Sequence, residues 1–431
     1  MPNPAAQRRK IRTLVRSYLA ATRPRMRPRS LPLTVNGFGA DEVNEAIDSL
    51  LDLRTTMGPK VLRFEKAWTR YQKSAGSIMV NSGSSANLIA VAALMDPTGP
   101  RCFRPGDEVI VPAVTWSTTI FPLQQLGLVP VLVDVDPETL NLTAEGVEAA
   151  LTRKTRGIVP VHLLGNPCPM PEIMALARRR GLAVIEDCCE AHGAKVGERL
   201  VGSFGDLGTF SFFFSHHITT MEGGMLTTRT RALLPILVSQ RAHGWVRGRA
   251  DEAALRRRHA DIDPRFLFVT TGFNVRPTEL NAAFGLHQLP RLESFIAARR
   301  RNHARWMDAL SAYDDLFVLQ AERPGTRHSA FGFPILIRRT APFDRAAMMR
   351  FLEARGVETR PIAGSNMARQ PGLKLWPHRI AAKRLPGADW VHTHGLFVGN
   401  HADVTPAQRE HFVRVVAQFV ARHGPRRGRR S

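Results

Sequence analysis

Eight side chains in this sequence have the types and settings that chemistry needs: Ser84, Ser85, Trp116, Asp187, Glu190, Ser211, His216 and Asn274. In "VNSGSSANLIAVAAL", a strand candidate runs into Gly83-Ser84-Ser85 and a run of good helix formers follows. That order sets backbone N–H groups and hydroxyls at a helix N-terminus, where orphan donors and the positive dipole end favour a phosphate. A plain serine N-cap carries the same signature. Trp116 follows the apolar run "EVIVPAV" (108–114), at the carboxyl edge where open α/β sheets bind ligands. A flat aromatic in that place stacks on a planar ring or simply fills core. Asp187 ends "LAVIED", and a carboxylate at the end of a buried strand needs a partner, because an unpaired buried charge costs several kcal/mol. A protonated ring nitrogen of a bound cofactor, a helix N-terminus or an arginine would each serve. Glu190 and His192 follow closely, as supporting groups or as surface. Ser211 and Ser215 stand on one side of "GTFSFFF" and its continuation, so Ser211 offers a second phosphate contact. His216, six residues before Glu222 of "EGG", has the side chain suited to taking and giving a proton near neutral pH. Asn274 and Arg276 are delivered by a turn around Gly272, ahead of a Pro-Thr-Glu helix start.

These residues need elements to position them. Short apolar runs alternate with helical stretches from about residue 40, the pattern of an α/β sheet with helices on both faces. Strands are expected at 77–80, 108–114, 130–135, 157–164, 182–188, 208–214 and 224–228, and helices at about 86–96, 171–180, 231–242 and 278–312, with a kink or break at Pro235 and Pro290. A smaller α+β unit is expected from "FGFPILI" (331–337), a helix near 343–355 and a last helix near 405–422. The resulting division is a basic N-terminal extension, 1–31, expected to be disordered; a large domain, 32–295; a small domain, 296–422; and a basic tail, 423–431. The boundary should fall within the helix near 290–312.

The chain has 431 residues and a formal charge of +23, concentrated at its ends: residues 1–40 contain no acid, and the C-terminus closes with "RHGPRRGRRS". Such tails are solvated, and no helix-turn-helix, zinc or RNA-binding signature accompanies them, so nucleic acid is not an expected partner. An Arg-rich leader also fits a transit peptide. No apolar run reaches the length of a membrane span, and a cytoplasmic location is the default expectation. The four cysteines, Cys102, Cys168, Cys188 and Cys189, match neither zinc nor iron–sulfur spacing, so no metal is expected.

Five segments, "SFFFSHHITTMEGGM", "RAHGWVR" (241–247), "TTGFNVRPTEL" (270–280), "LLGNP" (163–167) and "GLFVGNH" (395–401), resemble the DegT/DnrJ/EryC1/StrS family of nucleotide-sugar aminotransferases, and within it the sugar 3-dehydratases. The likeness spans roughly residues 32–425. It implies a pyridoxal phosphate (PLP)-dependent transferase of fold type I, like aspartate aminotransferase. That fold has a mixed, mostly parallel seven-stranded sheet and a smaller C-terminal α+β domain, in a homodimer with shared active sites. By motif, Asp187 would pair with the pyridine nitrogen, Trp116 would stack on the ring, and Gly83, Ser84, Ser85 and Ser211 would hold the phosphate. Glu190 would join the cofactor-binding set, and Asn274 would reach the phosphate of the neighbouring subunit's cofactor.

Lysine enzymes of this family carry their cofactor-binding lysine where this chain has His216. The one lysine between residues 155 and 373 is Lys195, in a hairpin-like turn. Cofactor is therefore expected to bind non-covalently, as PLP or pyridoxamine phosphate. The implied reaction is C3 dehydration of a nucleotide-linked 4-keto-6-deoxyhexose, first of all GDP-4-keto-6-deoxy-D-mannose. His216 would act as base and then acid, and glutamate as amino donor. His217 is assigned no chemistry, since neighbouring residues point in different directions. Two alternatives are a 4-aminotransferase-like protein and a CDP-sugar 3-dehydrase-like enzyme. The latter carries an iron–sulfur cluster, and no cysteine follows residue 189 to bind one.

Overall fold

The computed structural model describes residues 3–24 and 26–425. The apolar runs become β1 (Gly76–Val80), β2 (Glu108–Pro112), β3 (Val129–Val133), β4 (Thr155–Ile158) and β5 (Ala183–Asp187). β2 and β5 are buried at every position, as strands of a sheet covered on both faces must be. A hairpin of β6 (Lys195–Val196) and β7 (Arg199–Leu200) leads to β8 (Leu207–Ser211) and β9 (Gly224–Thr228). Lys195 thus stands in a hairpin, as its sequence setting implied.

Beyond these lie β10 (Phe317–Leu319), β11 (Thr326–Arg327), β12 (Gly332–Ile337), β13 (Thr359–Pro361), β14 (Arg379–Ile380) and β15 (Gly395–Gly399). The large sheet runs β1-β9-β8-β5-β4-β2-β3-β14, and the small one β10-β12-β15-β13. β9 pairs antiparallel with β1 and β8; the rest of the large sheet is parallel. The sheet therefore has eight strands where seven were expected. The eighth, β14, is two residues long and pairs with β3, too short to show as an apolar run.

Five helices matter most: α1 (Pro4–Thr22), α2 (Ala40–Leu51), α3 (Pro59–Gln72), α4 (Gly83–Met95) and α5 (Ser117–Gln125). Beyond its polar first turn α4 is apolar on nearly every face, because it is mostly buried. The expected helix 278–312 breaks at Pro290 into Glu279–Gln288 and Leu292–Leu310, joined by a tight turn. Helix Leu292–Leu310 bridges the two domains. Its Leu292 and Ile296 pack with Trp68 and Phe210, whereas Trp306 and Leu310 pack with Phe333 and Phe412.

Two expectations about domains need correction. Residues 296–422 are not one block, since Ile362, Met367, Leu373, Leu385, Ala388 and Val391 join the core built by Ile89 and Val111 of the large domain. The N-terminal extension is also not structureless over 4–22. It forms α1, whose Arg8, Arg12 and Arg16 recur every four residues along one face and pair with Asp52, Asp48 and Asp41 on or just after α2. Of the basic tail, residues 426–431 lie outside the described residues.

Candidate active site

The strands β5 and β8 and the helices α4 and α5 converge on a cleft of about 530 Å³. Asp187, the last residue of β5, is 5 % exposed there. Its Oδ2 accepts hydrogen bonds from Asn87 Nδ2 (3.0 Å) and Thr119 Oγ1 (2.8 Å), and its Oδ1 from the Cys189 amide (3.1 Å). Thr209 Oγ1 donates to Asn87 Oδ1 (2.6 Å), which fixes the Asn87 amide with its NH₂ toward Asp187. The carboxylate is thus held by neutral donors, and no ion pair among the described residues supplies it with a cation. It lines the cleft. Burial and Asp187 push the Cys189 thiol up, so that Cys189, also on the cleft wall, stays protonated.

α4 starts in the cleft. Ser82 is its N-cap, its hydroxyl accepting from the Ser85 amide (3.1 Å), and Ser84 Oγ donates to Thr118 Oγ1 (3.0 Å). Gly83 allows this N-terminus to sit on the end of β8, since a Cβ at Gly83 would meet Ser211 Cβ at 2.5 Å. Ser211 and the first turn of α4 together form a concave donor-rich wall of the kind that holds phosphate. Trp116, 62 % exposed, lies at the cleft's edge just before α5. Glu190 Oε2 accepts the Leu164 amide (2.8 Å), yet burial first, and Asp187 with it, pushes the Glu190 carboxyl up to about 7.

His216 faces the cleft from the loop between β8 and β9, its ring 5.2 Å from that of Phe331. Arg299 Nη2 donates to its backbone oxygen (3.3 Å). Burial, and then the Arg299 charge, push the imidazole down to about 3. The sequence suggested a ring poised near the working pH; the packing of the loop and the neighbouring Arg299 instead lower the proton affinity of a ring that keeps one side on the cleft. His217 turns inward, its Nε2–H donating to the Ser329 carbonyl (3.0 Å), and does not line the cleft.

Of the residues singled out by sequence, Gly83, Ser84, Trp116, Asp187, Glu190, Ser211 and His216 line the cleft. Ser85 lies one step along α4, its hydroxyl accepting from Ser82 Oγ (3.0 Å). Asn274 is exposed, accepts from Arg276 Nε (3.0 Å), and does not reach the cleft of its own chain. Sequence reasoning missed Asn87, Thr119 and Arg360. Asn87 was legible, four residues after Gly83 and so on the same helix face. Arg360 arrives from β13 of the small domain, and nothing local marks it.

No lysine lines the cleft; Lys195 pairs instead with Glu198 (3.7 Å). Among the described residues, His162, Glu186 and Cys188 are the one group close enough to share a metal. Their lone pairs are already used: His162 Nδ1 accepts the Cys168 amide (2.9 Å), so Nε2–H donates to Glu186 (3.3 Å). Glu186 also accepts the amides of Gly202, Phe204 and Gly205. This is a structural clamp on the turn before β8.

Comparison with known proteins points the same way. Residues 38–418 match the model of the DegT/DnrJ/EryC1/StrS aminotransferase family. The chain is 40% identical to GDP-4-keto-6-deoxy-D-mannose 3-dehydratase of Yersinia pseudotuberculosis, over 86% of this chain and 94% of that one. It is 38% identical to dTDP-4-dehydro-2,6-dideoxy-D-glucose 3-dehydratase of Saccharopolyspora spinosa, over 91% and 87%. Among solved structures it resembles the E. coli GDP-4-keto-6-deoxy-D-mannose 3-dehydratase with bound hydrated PLP, at a TM-score of 0.83 and 35% identity, covering 90% of this chain and 99% of that one.

Proposed function

The chain belongs to the DegT/DnrJ/EryC1/StrS aminotransferase family, and on that premise we propose that it is a PLP- and pyridoxamine phosphate-dependent 3-dehydratase of a nucleotide-linked 4-keto-6-deoxyhexose. Its first substrate is GDP-4-keto-6-deoxy-D-mannose and its amino donor glutamate. The observation that carries this is a cleft of about 530 Å³ with Asp187 and His216 on its wall and no lysine in its lining. The fit is specific to the cofactor: Asp187 is a buried carboxylate without a cation, which a protonated ring nitrogen would complete, and the start of α4 with Ser211 matches a phosphate.

When bound, the cofactor supplies an electron-accepting ring and an exchangeable amino group, the chemistry by which a C3 hydroxyl becomes a leaving group. The protein does the rest. Asp187 would pair with the ring nitrogen and hold its proton, with Asn87 and Thr119 aiming the carboxylate. His216, on the cleft wall, would take a proton at its imidazole from the carbon of the cofactor that joins the ring to its amino group and pass it to the departing C3 hydroxyl; its lowered proton affinity makes the second transfer the easier one. Glu190, with its carboxyl up at about 7, is able to donate a hydrogen bond to a ring oxygen. Arg360, exposed and lining the cleft, would supply a positive charge for a sugar diphosphate.

Asn274 stands outside its own cleft, and the exposed Phe213, Phe214 and Met221 flank the histidine loop. Both features support a homodimer in which Asn274 serves the partner's cofactor. The four cysteines are unpaired, which suits a reducing cytoplasm. Among the described residues no helix is long and apolar enough to cross a membrane.

The test is product analysis of the purified protein with PLP, glutamate and GDP-4-keto-6-deoxy-D-mannose. The expected outcome is one ammonia released for each 4-keto-3,6-dideoxy sugar formed. A product that keeps the nitrogen at C4 would instead mark an aminotransferase. The dTDP-linked substrate belongs in the same assay, since relatives using either nucleotide are almost equally similar.

A further inference from the structure

Ser215 and His216 form a wall between the cleft and a second cavity of about 220 Å³, whose lining includes Arg23, Arg291, Arg299, His217, His401 and Asp403. Arg299 is 5 % exposed, and no ion pair among the described residues includes it. Its Nη atoms donate to the backbone oxygens of Phe331 (2.8 Å), Asn400 (2.6 Å) and His216 (3.3 Å), while its Nε–H has no partner. Both ring nitrogens of His401, 3 % exposed, are also without partners. A buried guanidinium without a counter-charge is costly, and burial pushes Arg299 down to about 10 although Asp403 opposes this. The other arginines are matched: Arg23 lies 3.7 Å from Asp403, and Arg291 pairs with Glu42. The unmatched charge at the cavity is that of Arg299.

We propose that this cavity binds a small anion, chloride or a single carboxylate, held by the Nε–H of Arg299 and a ring N–H of His401, with the Arg23–Asp403 pair at its rim. His217 sets a limit on the ligand's position. Its Nε2–H is spent on Ser329, so its unpartnered Nδ1 is an acceptor and prefers a water beside the anion.

The site adjoins His216 through Arg299, which holds the histidine's backbone and whose charge disfavours a protonated ring. An anion beside Arg299 offsets that charge. His216 would then protonate more readily, as the second half of its proposed task requires; this consequence rests on the function proposed above. The ionisable groups around His216 are Arg299, His192, His217 and His401 on the packed side and Asp187, Glu190, Glu222 and Arg360 across the cleft. An anion reweights the first set.

Chloride binding to the full-length holoenzyme is read without substrate, from chloride NMR line broadening at constant ionic strength in methanesulfonate. Saturable broadening is expected. Asp403→Asn should tighten binding and Arg23→Gln weaken it, each by roughly threefold, as a partly screened charge at the rim would. Both side chains are exposed enough that the fold should survive either change. Acetate in a second arm decides whether a carboxylate displaces the halide. Non-saturable broadening, or two variants that shift affinity in the same direction or not at all, would overturn the proposal. The link to His216 is read separately, as a chloride-dependent shift of the acid limb of the kcat–pH profile. An inactive enzyme that still binds chloride would count against the proposed function and leave the anion site standing.

Discussion

The carboxylate of Asp187 owes its place to side chains that are not themselves ionic. Asn87 and Thr119 donate to one of its oxygens, and Thr209 locks Asn87 in the donating orientation. A hydrogen bond to a charged group is worth about 1.5–3 kcal/mol, so losing either donor should loosen the ring-nitrogen partner by roughly tenfold to a hundredfold in cofactor affinity. Thr119→Val and Asn87→Leu are therefore expected to lose PLP on dialysis while the wild type keeps it, as read from the cofactor's absorbance. Variants that keep cofactor as well as the wild type would show that Asp187 needs no such support. At His216 burial and the Arg299 charge favour the neutral ring, the form that the proposed proton transfer starts from, while they also weaken it as a base.

α4 joins sequence to site most directly, because the residues that start the helix are those that line the cleft and are proposed to meet the phosphate. Its approach to β8 depends on the absence of a side chain at residue 83. Gly83→Ala forces a Cβ against Ser211 Cβ, and overpacking of this kind costs about 1–3 kcal/mol. The expected result is a lower urea midpoint together with weaker PLP binding. Gly37→Ala, where a Cβ meets nothing within 4 Å, is the control that should change neither. If Gly83→Ala lowers stability but leaves PLP binding intact, the first turn of α4 is packing alone.

Across the molecule, buried histidines set the response to acid. Burial pushes His192, His217 and His328 well down, His216 and His401 to about 3, and His303 to about 4. In the unfolded chain each would take a proton below about pH 6.5, whereas the folded chain stays neutral, so the unfolded state binds more protons and stability falls as pH falls. Glu190 acts in the opposite sense: its raised carboxyl stabilises at low pH and loses that contribution as pH rises toward about 7. Six histidines outweigh one glutamate. The urea midpoint should fall steadily from about pH 7 to about pH 5, a window above the range where depressed carboxylates titrate. His303→Gln should flatten that slope, since His303 leaves its Nε2 buried without a partner. A slope unchanged in the variant would remove His303 from the account.

The sequence by itself determined the strand and helix types, the end of β5 at Asp187, the serine-rich start of α4 and a histidine six residues before Glu222 in the loop between β8 and β9. All of these rest on signals within a few residues: apolar runs, helix starts and a fixed spacing to "EGG". Only the tertiary structure decided which of those side chains meet. It brought Arg360 to the cleft from another domain, placed Asn274 outside its own, docked α1 on α2, and added β14 to β3. It also lowers the proton affinity of His216, because that affinity is set by burial and by a charge eighty-three residues away along the chain.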